Sequence, residues 1–237
     1  MVMDDTCHLQ NYVADVLVNQ NAGAETYHYP MVGNGTVLKG AKYAMLRGEF
    51  LAMRGYHREY PDVAEKLLVT MGGADVHCTT LRVLEALDTC QNIRFEVCML
   101  VGVANPQHME IVARAAAIEH QRIRVERHSD DMPELMAWAD IAVTAGGTPF
   151  WELAFMSLPA LLICLADNQR GGISAVCSAG AAGNLGDVQR INVDSLAYPL
   201  TRLACDKQGR ERMGKAGGGL IDGLGSERVR KALEELT

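Results

Sequence analysis

Lys66-Leu67-Leu68-Val69-Thr70-Met71-Gly72-Gly73 and Asp140-Ile141-Ala142-Val143-Thr144-Ala145-Gly146-Gly147 share one form: an apolar run of strand length closed by a glycine pair. A strand with one wet face alternates apolar and polar residues. These two do not alternate, so each is expected to be covered on both faces. After each glycine pair, apolar residues return at helical spacing, over residues 79–87 and up to residue 157. The same alternation continues between and beyond them. Strands are expected at 93–101, 123–126, 158–165 and 182–185, and helices at 109–118, 132–138 and 169–178. Continuous apolar strands each followed by a helix predict an α/β fold, a doubly wound parallel sheet.

Composition narrows what such a domain can do. Of the 237 residues, 49% are hydrophobic and 22% charged, enough apolar surface to exclude a disordered or disulfide-stapled chain. Lys and Arg number 22 against 29 Asp and Glu, a formal charge of −7. Such a surface does not attract a polyanion, so no nucleic-acid partner is expected. No apolar run approaches the ~20 residues of a membrane span. Asp4 and Asp5 stand where a signal peptide carries basic residues. The seven cysteines form no CxxC, and several sit in aliphatic runs such as Leu161-Leu162-Ile163-Cys164-Leu165. They read as small buried hydrophobes of a reducing, cytoplasmic protein. The histidines show neither HxxxH nor HxH spacing, so no metal site is expected.

Two units are expected, residues 1–60 and 61–237. In the first, Met1-Val2-Met3-Asp4-Asp5 and Ala14-Asp15-Val16-Leu17-Val18-Asn19 read as strands, and the glycine-rich stretch 33–40 offers no core. So few short strands cannot bury both faces of a sheet, so this unit reads as the tail end of a domain. At the other end, residues 195–205 and 226–236 are amphipathic, and Gly217-Gly218-Gly219 is expected to break the helical pattern between them.

In open parallel sheets, ligands sit beyond the carboxyl ends of the strands. Gly72 and Gly73 lack the Cβ that would block a ligand there, and the next helix, near Asp75 and Thr79, is expected to aim free amides at the same place. Gly146 and Gly147 repeat the arrangement, with Thr148 as the expected cap and Pro149 at the first helical position. Two such turns in one domain point to a phosphate ester. Glu152, on the first turns of that helix, can accept both hydroxyls of a ribose or simply complement the helix dipole. Asn168 and Gln169, after the 158–165 strand, can bond to a sugar or cap the following helix. Ser157, Ser174 and Ser178 lack a nucleophile elbow, which leaves the catalytic residues unassigned.

The string Thr144-Ala145-Gly146-Gly147-Thr148-Pro149-Phe150-Trp151-Glu152, then Leu158-Pro159 and Ala166-Asp167-Asn168-Gln169-Arg170, resembles the nucleotide-binding half of the GT-B nucleotide-sugar superfamily. Within it, the chain is most similar to the UDP-2,4-diacetamido-2,4,6-trideoxy-β-L-altropyranose hydrolases of pseudaminic acid biosynthesis, relatives of the MurG-type glycosyltransferases. Met3-Asp4-Asp5, Ala14-Asp15-Val16-Leu17-Val18-Asn19-Gln20-Asn21, Tyr43-Ala44-Met45-Leu46-Arg47-Gly48-Glu49-Phe50 and Met71-Gly72-Gly73-Ala74-Asp75 agree with it in order along the chain. The resemblance implies a domain that grips UDP or a UDP-sugar without a cofactor. Gly72, Gly73 and Thr148 would face the diphosphate, Glu152 the ribose, and Asn168 with Gln169 the sugar. The family's histidine-bearing G-x-G-H loop has no counterpart in these residues. The resemblance therefore also implies a half inactive alone, completed by a separate N-terminal-domain subunit, or a module that forms a homo-oligomer through its unfinished sheet edge.

Overall fold

The computed structural model describes residues 1–236; Thr237, the last residue of the expected second unit, lies outside them. Three short strands come first: β1 (Val2–Met3), β2 (Val16–Asn19) and β3 (Thr36–Lys39), followed by the short helix α1 (Gly48–Leu51). The alternating region then runs β4 (Lys66–Thr70), α2 (Thr79–Thr89), β5 (Glu96–Leu100), α3 (His108–Ala116), β6 (Arg122–Glu126), α4 (Met132–Trp138), β7 (Ile141–Ala145), α5 (Pro149–Phe155), β8 (Ala160–Cys164), α6 (Arg170–Ser178) and β9 (Gly183–Asp187). Three helices close the chain: α7 (Val193–Cys205), α8 (Lys207–Leu220) and α9 (Gly225–Glu234).

The six later strands make one all-parallel sheet in the order β6-β5-β4-β7-β8-β9. It is doubly wound, as the apolar runs require. Alternate residues sort to opposite faces. Leu67, Val69, Val97, Met99 and Val143 pack under α2, α3 and α7 through Leu84, Ile111 and Leu200. Leu68, Cys98, Ala142 and Leu162 pack under α4, α5 and α6 through Met136, Leu153 and Ile173. Each fully buried aliphatic side chain contributes about 1.5–3 kcal/mol relative to exposure, so both faces hold the sheet.

Two expectations for residues 1–60 are corrected. The glycine-rich stretch does carry a strand, β3, parallel to β2 with Leu38 buried. Gly35 permits it, because a Cβ there would lie 2.1 Å from the Ala14 carbonyl. Both faces of this small parallel sheet are also covered at β2, all four of whose residues are fully buried. Val16 and Val18 pack with Leu38 and with Val229, Ala232 and Leu233 of α9, which returns from the far end of the chain. Leu17 packs with Tyr12 and Tyr29 on the other side.

The break expected at Gly217-Gly218-Gly219 is absent, since all three lie inside α8. Their packing explains it. A Cβ on Gly217 would stand 3.3 Å from Ala154 Cα, and one on Gly218 would stand 2.8 Å from Ser157 Oγ, so bare backbone lets α8 press on α5. The segment between α1 and β4 is strapped down by Arg58, which donates to the carbonyls of Met136, Ala139 and Met156 at the ends of α4 and α5. Burial pulls the pKa of that guanidinium down. Cys90, Cys98 and Cys164 are buried as expected of small hydrophobes, whereas Cys205 is exposed at the end of α7. No helix among the described residues is long and apolar enough to cross a membrane.

Candidate functional site

Strand order reverses direction between β4 and β7, which pair in parallel with Leu67 opposite Ile141 and Thr70 opposite Thr144. The crevice of a doubly wound sheet opens beyond the carboxyl ends of the two strands at such a point. These are the strands that the two glycine pairs follow. A cleft of about 750 Å³, counting its open mouth, lies on this side of the sheet and extends past β8. It is lined by Gly146, Gly147, Thr148, Asn168 and Gln169, by Asp5, Asn21 and Tyr27 of the N-terminal segment, and by Trp151 and Ile173.

This lining follows from local sequence. Gly146 and Gly147 end β7 because a side chain has little room: a Cβ on Gly146 would press on Ile173 Cδ1 at 2.3 Å. At Gly147 the nearest atoms, Pro149 Cδ and Gln169 Nε2, are 3.8 and 3.9 Å away, so that backbone faces the cleft bare. Pro149 starts α5 at the first helical position, as expected, but Thr148 does not cap the helix. Its backbone is already helical and its side chain makes no cap bond, which leaves the exposed hydroxyl to the cleft. The Gln169 side-chain oxygen accepts from the Leu165 amide at 2.9 Å, which fixes the carboxamide and turns its NH₂ toward Gly147. Asn168, beside it, is exposed on the cleft wall.

The β4 side is built differently. Gly72, with φ +82°, and Gly73 are exposed, but neither lines this cleft among the described residues. A Cβ on Gly102, after β5, would lie 2.2 Å from the Gly73 carbonyl, so the two turns touch through backbone. The amides expected to be free at the start of α2 are occupied. The Asp75 carboxylate accepts from the Thr79 amide and the Thr80 amide, both at 2.8 Å. A carboxylate at a helix N-terminus satisfies orphan donors and the positive end of the dipole together. Thr79 itself is fully buried beneath that cap.

Glu152 lies on the first turn of α5 and is buried, with a side-chain exposure of 9%. Neither of its oxygens is idle. Arg47 Nε donates to Oε1 at 2.8 Å and Arg47 Nη2 donates to Oε2 at 3.1 Å. Arg47 Nη1 also meets Glu49 at 2.9 Å, and the guanidinium stands 5.2 Å from the Phe50 ring centroid. The hydrogen bond to Glu152 raises the Arg47 pKa further. At the far edge, Arg170 bonds to Asp167 and to both oxygens of Asp187, so two carboxylates already share its charge. That pairing holds Asp187 below the ordinary carboxylate range.

Sequence reasoning assigned no role to Asp5, Asn21, Tyr27 or Arg47. Asp5 and Asn21 each sit two residues past a strand, β1 and β2, so the strand-end rule that found the glycines applies to them as well. Tyr27 and Arg47 carry no such signal.

Known proteins share this architecture. Residues 67–219 match the glycosyltransferase family 28 C-terminal domain. The spore coat polysaccharide biosynthesis protein SpsG of Bacillus subtilis is 30% identical over 94% of this chain and 65% of its own length. Among solved structures, Acinetobacter baumannii MurG superposes with a TM-score of 0.69 at 16% identity, over 93% of this chain and 66% of that one. The S. aureus MnaA-UDP structure gives 0.63 at 17% identity, over 93% and 60%. The chain thus spans under two-thirds of the length of each of these relatives. Over most of its own length it belongs to the glycosyltransferase family 28 C-terminal domain family, with the GT-B fold of MurG.

Proposed function

We propose that this chain is the UDP-sugar-binding half of a GT-B-type nucleotide-sugar hydrolase or glycosyltransferase of surface-glycan synthesis, with a pseudaminic acid-like sugar as its cargo. The observation that carries the reading is the turn at the carboxyl end of β7, where the bare Gly147 backbone and the uncapped, exposed Thr148 line the cleft. The diphosphate would lie along that turn, where the exposed Thr148 hydroxyl can donate without any fixed cation; the Gly146 and Gly147 amides are held by the Ile163 and Ala145 carbonyls, so these glycines offer close approach and not free donors. The ribose would reach Glu152, which is nearly buried next to the lining residue Trp151 and does not itself line the cleft, and the sugar would lie toward Asn168 and Gln169, with Asp5, Asn21 and Tyr27 in the same cleft. Two relatives support the assignment: SpsG by its role in spore coat polysaccharide biosynthesis, and MnaA by its complex with UDP.

Cleavage of a glycosyl–UDP bond breaks the sugar C1–O bond and leaves negative charge on the departing diphosphate. The Thr148 hydroxyl at the start of α5 would stabilise that charge as it develops. The attacking water or hydroxyl also needs a base. Among the described residues lining the cleft, the titratable side chains are Asp5 and Tyr27, and no histidine is among them. The chain alone is therefore expected to hold UDP and to release none from a UDP-sugar. Trp151 fluorescence during titration with UDP, CDP and ADP tests the binding. A saturable change with UDP, weaker with the other two, supports the reading, and equal or absent responses would refute it. Assay of free UDP after incubation with UDP-sugars tests the second clause.

A further inference from the structure

Glu152 is the residue this reading gives to the ribose, yet the structure shows it committed to another partner. Its carboxylate is nearly buried and gripped at both oxygens by one guanidinium, from a segment 105 residues earlier in the chain. We infer that Arg47 is a positioning residue, which sets the Glu152 carboxylate in the one orientation that can receive a ribose diol. The inference rests on the nucleotide reading above and goes beyond it, because it names the residue that decides between ribose and deoxyribose.

The geometry favours positioning over a simple tie between the two halves. A carboxylate offers about four acceptor positions, and the paired Arg bonds use one on each oxygen. One lone pair then remains on each oxygen, the number that two vicinal hydroxyls need. Arg47 is itself held in place, by Glu49 at 2.9 Å and by the face of the fully buried Phe50 ring. A planar fork bonded in this way fixes the plane of the carboxylate, which a lysine ammonium cannot do. Arg47 is also half exposed, at 52% of its side chain, so its ion pair with Glu152 is partly screened and adds little to stability.

The test compares UDP with 2′-deoxy-UDP and 2′,3′-dideoxy-UDP by calorimetric titration of the full chain. The unmodified protein is expected to prefer UDP by roughly tenfold or more over each deoxy form, the value of a lost charge-assisted hydrogen bond. Arg47→Met keeps the length and the contact with Phe50 but leaves the carboxylate unfixed. It is expected to bring that preference below about threefold while UDP itself still binds. Arg47→Lys is expected to fall between the two. Melting temperatures taken alongside report any loss of fold, and a purely structural role would weaken all three ligands by one factor and leave their ratio unchanged. An unchanged ratio in Arg47→Met overturns the inference and leaves the nucleotide reading standing. Absence of UDP binding by the unmodified chain overturns both.

Discussion

Glu152 has the right shape for a diol receptor and the wrong surroundings for a merely solvated one. It is buried, its charge is paired, and its helix begins at the wall of the cleft. Glu152→Gln retains the volume and one acceptor but loses the charge and one Arg47 bond. It is expected to weaken UDP binding about tenfold, the scale of one charge-assisted hydrogen bond, with little change in melting temperature. Equilibrium dialysis with labelled UDP checks this, and an affinity within twofold of the unmodified chain would contradict the ribose role proposed for Glu152. Residue-scale legibility was uneven for a physical reason. Glycines and prolines mark turns through their own backbone limits, so Gly146, Gly147 and Pro149 could be placed by reading alone. Arg47 could not, because the carboxylate that gives it its proposed role is 105 residues away. Asp75 was placed at the right turn, but its carboxylate fills the amide site that the pattern suggested was open.

At the scale of elements, the six parallel strands were legible because burial on both faces leaves unbroken apolar runs. Helix α8 was not. Three glycines cost roughly 0.5–1 kcal/mol each in a helix, which argues for a break, but the close approach of α8 to Ala154 and Ser157 that Gly217 and Gly218 allow outweighs the cost. That account separates glycines by position. Gly214→Ala would place a Cβ 1.9 Å from Tyr60 Oη and 2.5 Å from the Ser157 carbonyl, so a loss of about 1–3 kcal/mol is expected. Gly219→Ala meets nothing within 4 Å and should stabilise by up to ~1 kcal/mol. Urea midpoints of the two variants decide it, and shifts of the same sign would contradict the packing explanation. The N-terminal sheet adds a pH prediction. Burial alone would raise the Asp4 pKa, but the Tyr12 hydroxyl and the Thr6 and Cys7 amides outweigh it and hold the pKa below 3.8. A depressed carboxyl stabilises the fold above its unfolded value, and that contribution is lost as pH falls through the folded one. Burial pushes Tyr29 up to about 12, so its contribution is present below 10.0 and lost between there and 12. Urea midpoints should therefore fall below about pH 4 and above pH 10, and Asp4→Asn should flatten the acid limb only. An acid limb equally steep in Asp4→Asn would contradict this.

For the whole molecule, the sequence reads as two units, residues 1–60 and 61–237, and the packing joins them. Helix α9 completes the core over Val16, Val18 and Leu38, Arg228 donates to the Lys42 carbonyl at 2.7 Å, and Arg47 reaches Glu152. Contacts between segments so distant in sequence leave no periodic trace, which is why residues 1–60 read as having no core. They also bring Asp5, Asn21 and Tyr27 into one cleft with Gly147 and Asn168. The central claim is that this cleft takes UDP along the β7 turn. Calorimetric titration of UDP into the unmodified chain and into Gly147→Val tests it most directly, because a side chain at Gly147 has room in the fold but projects where the diphosphate would lie. The account predicts one-to-one binding to the unmodified chain and at least tenfold weaker binding to the variant at an unchanged melting temperature. No heat from the unmodified chain, or equal affinity in the two proteins, would contradict it.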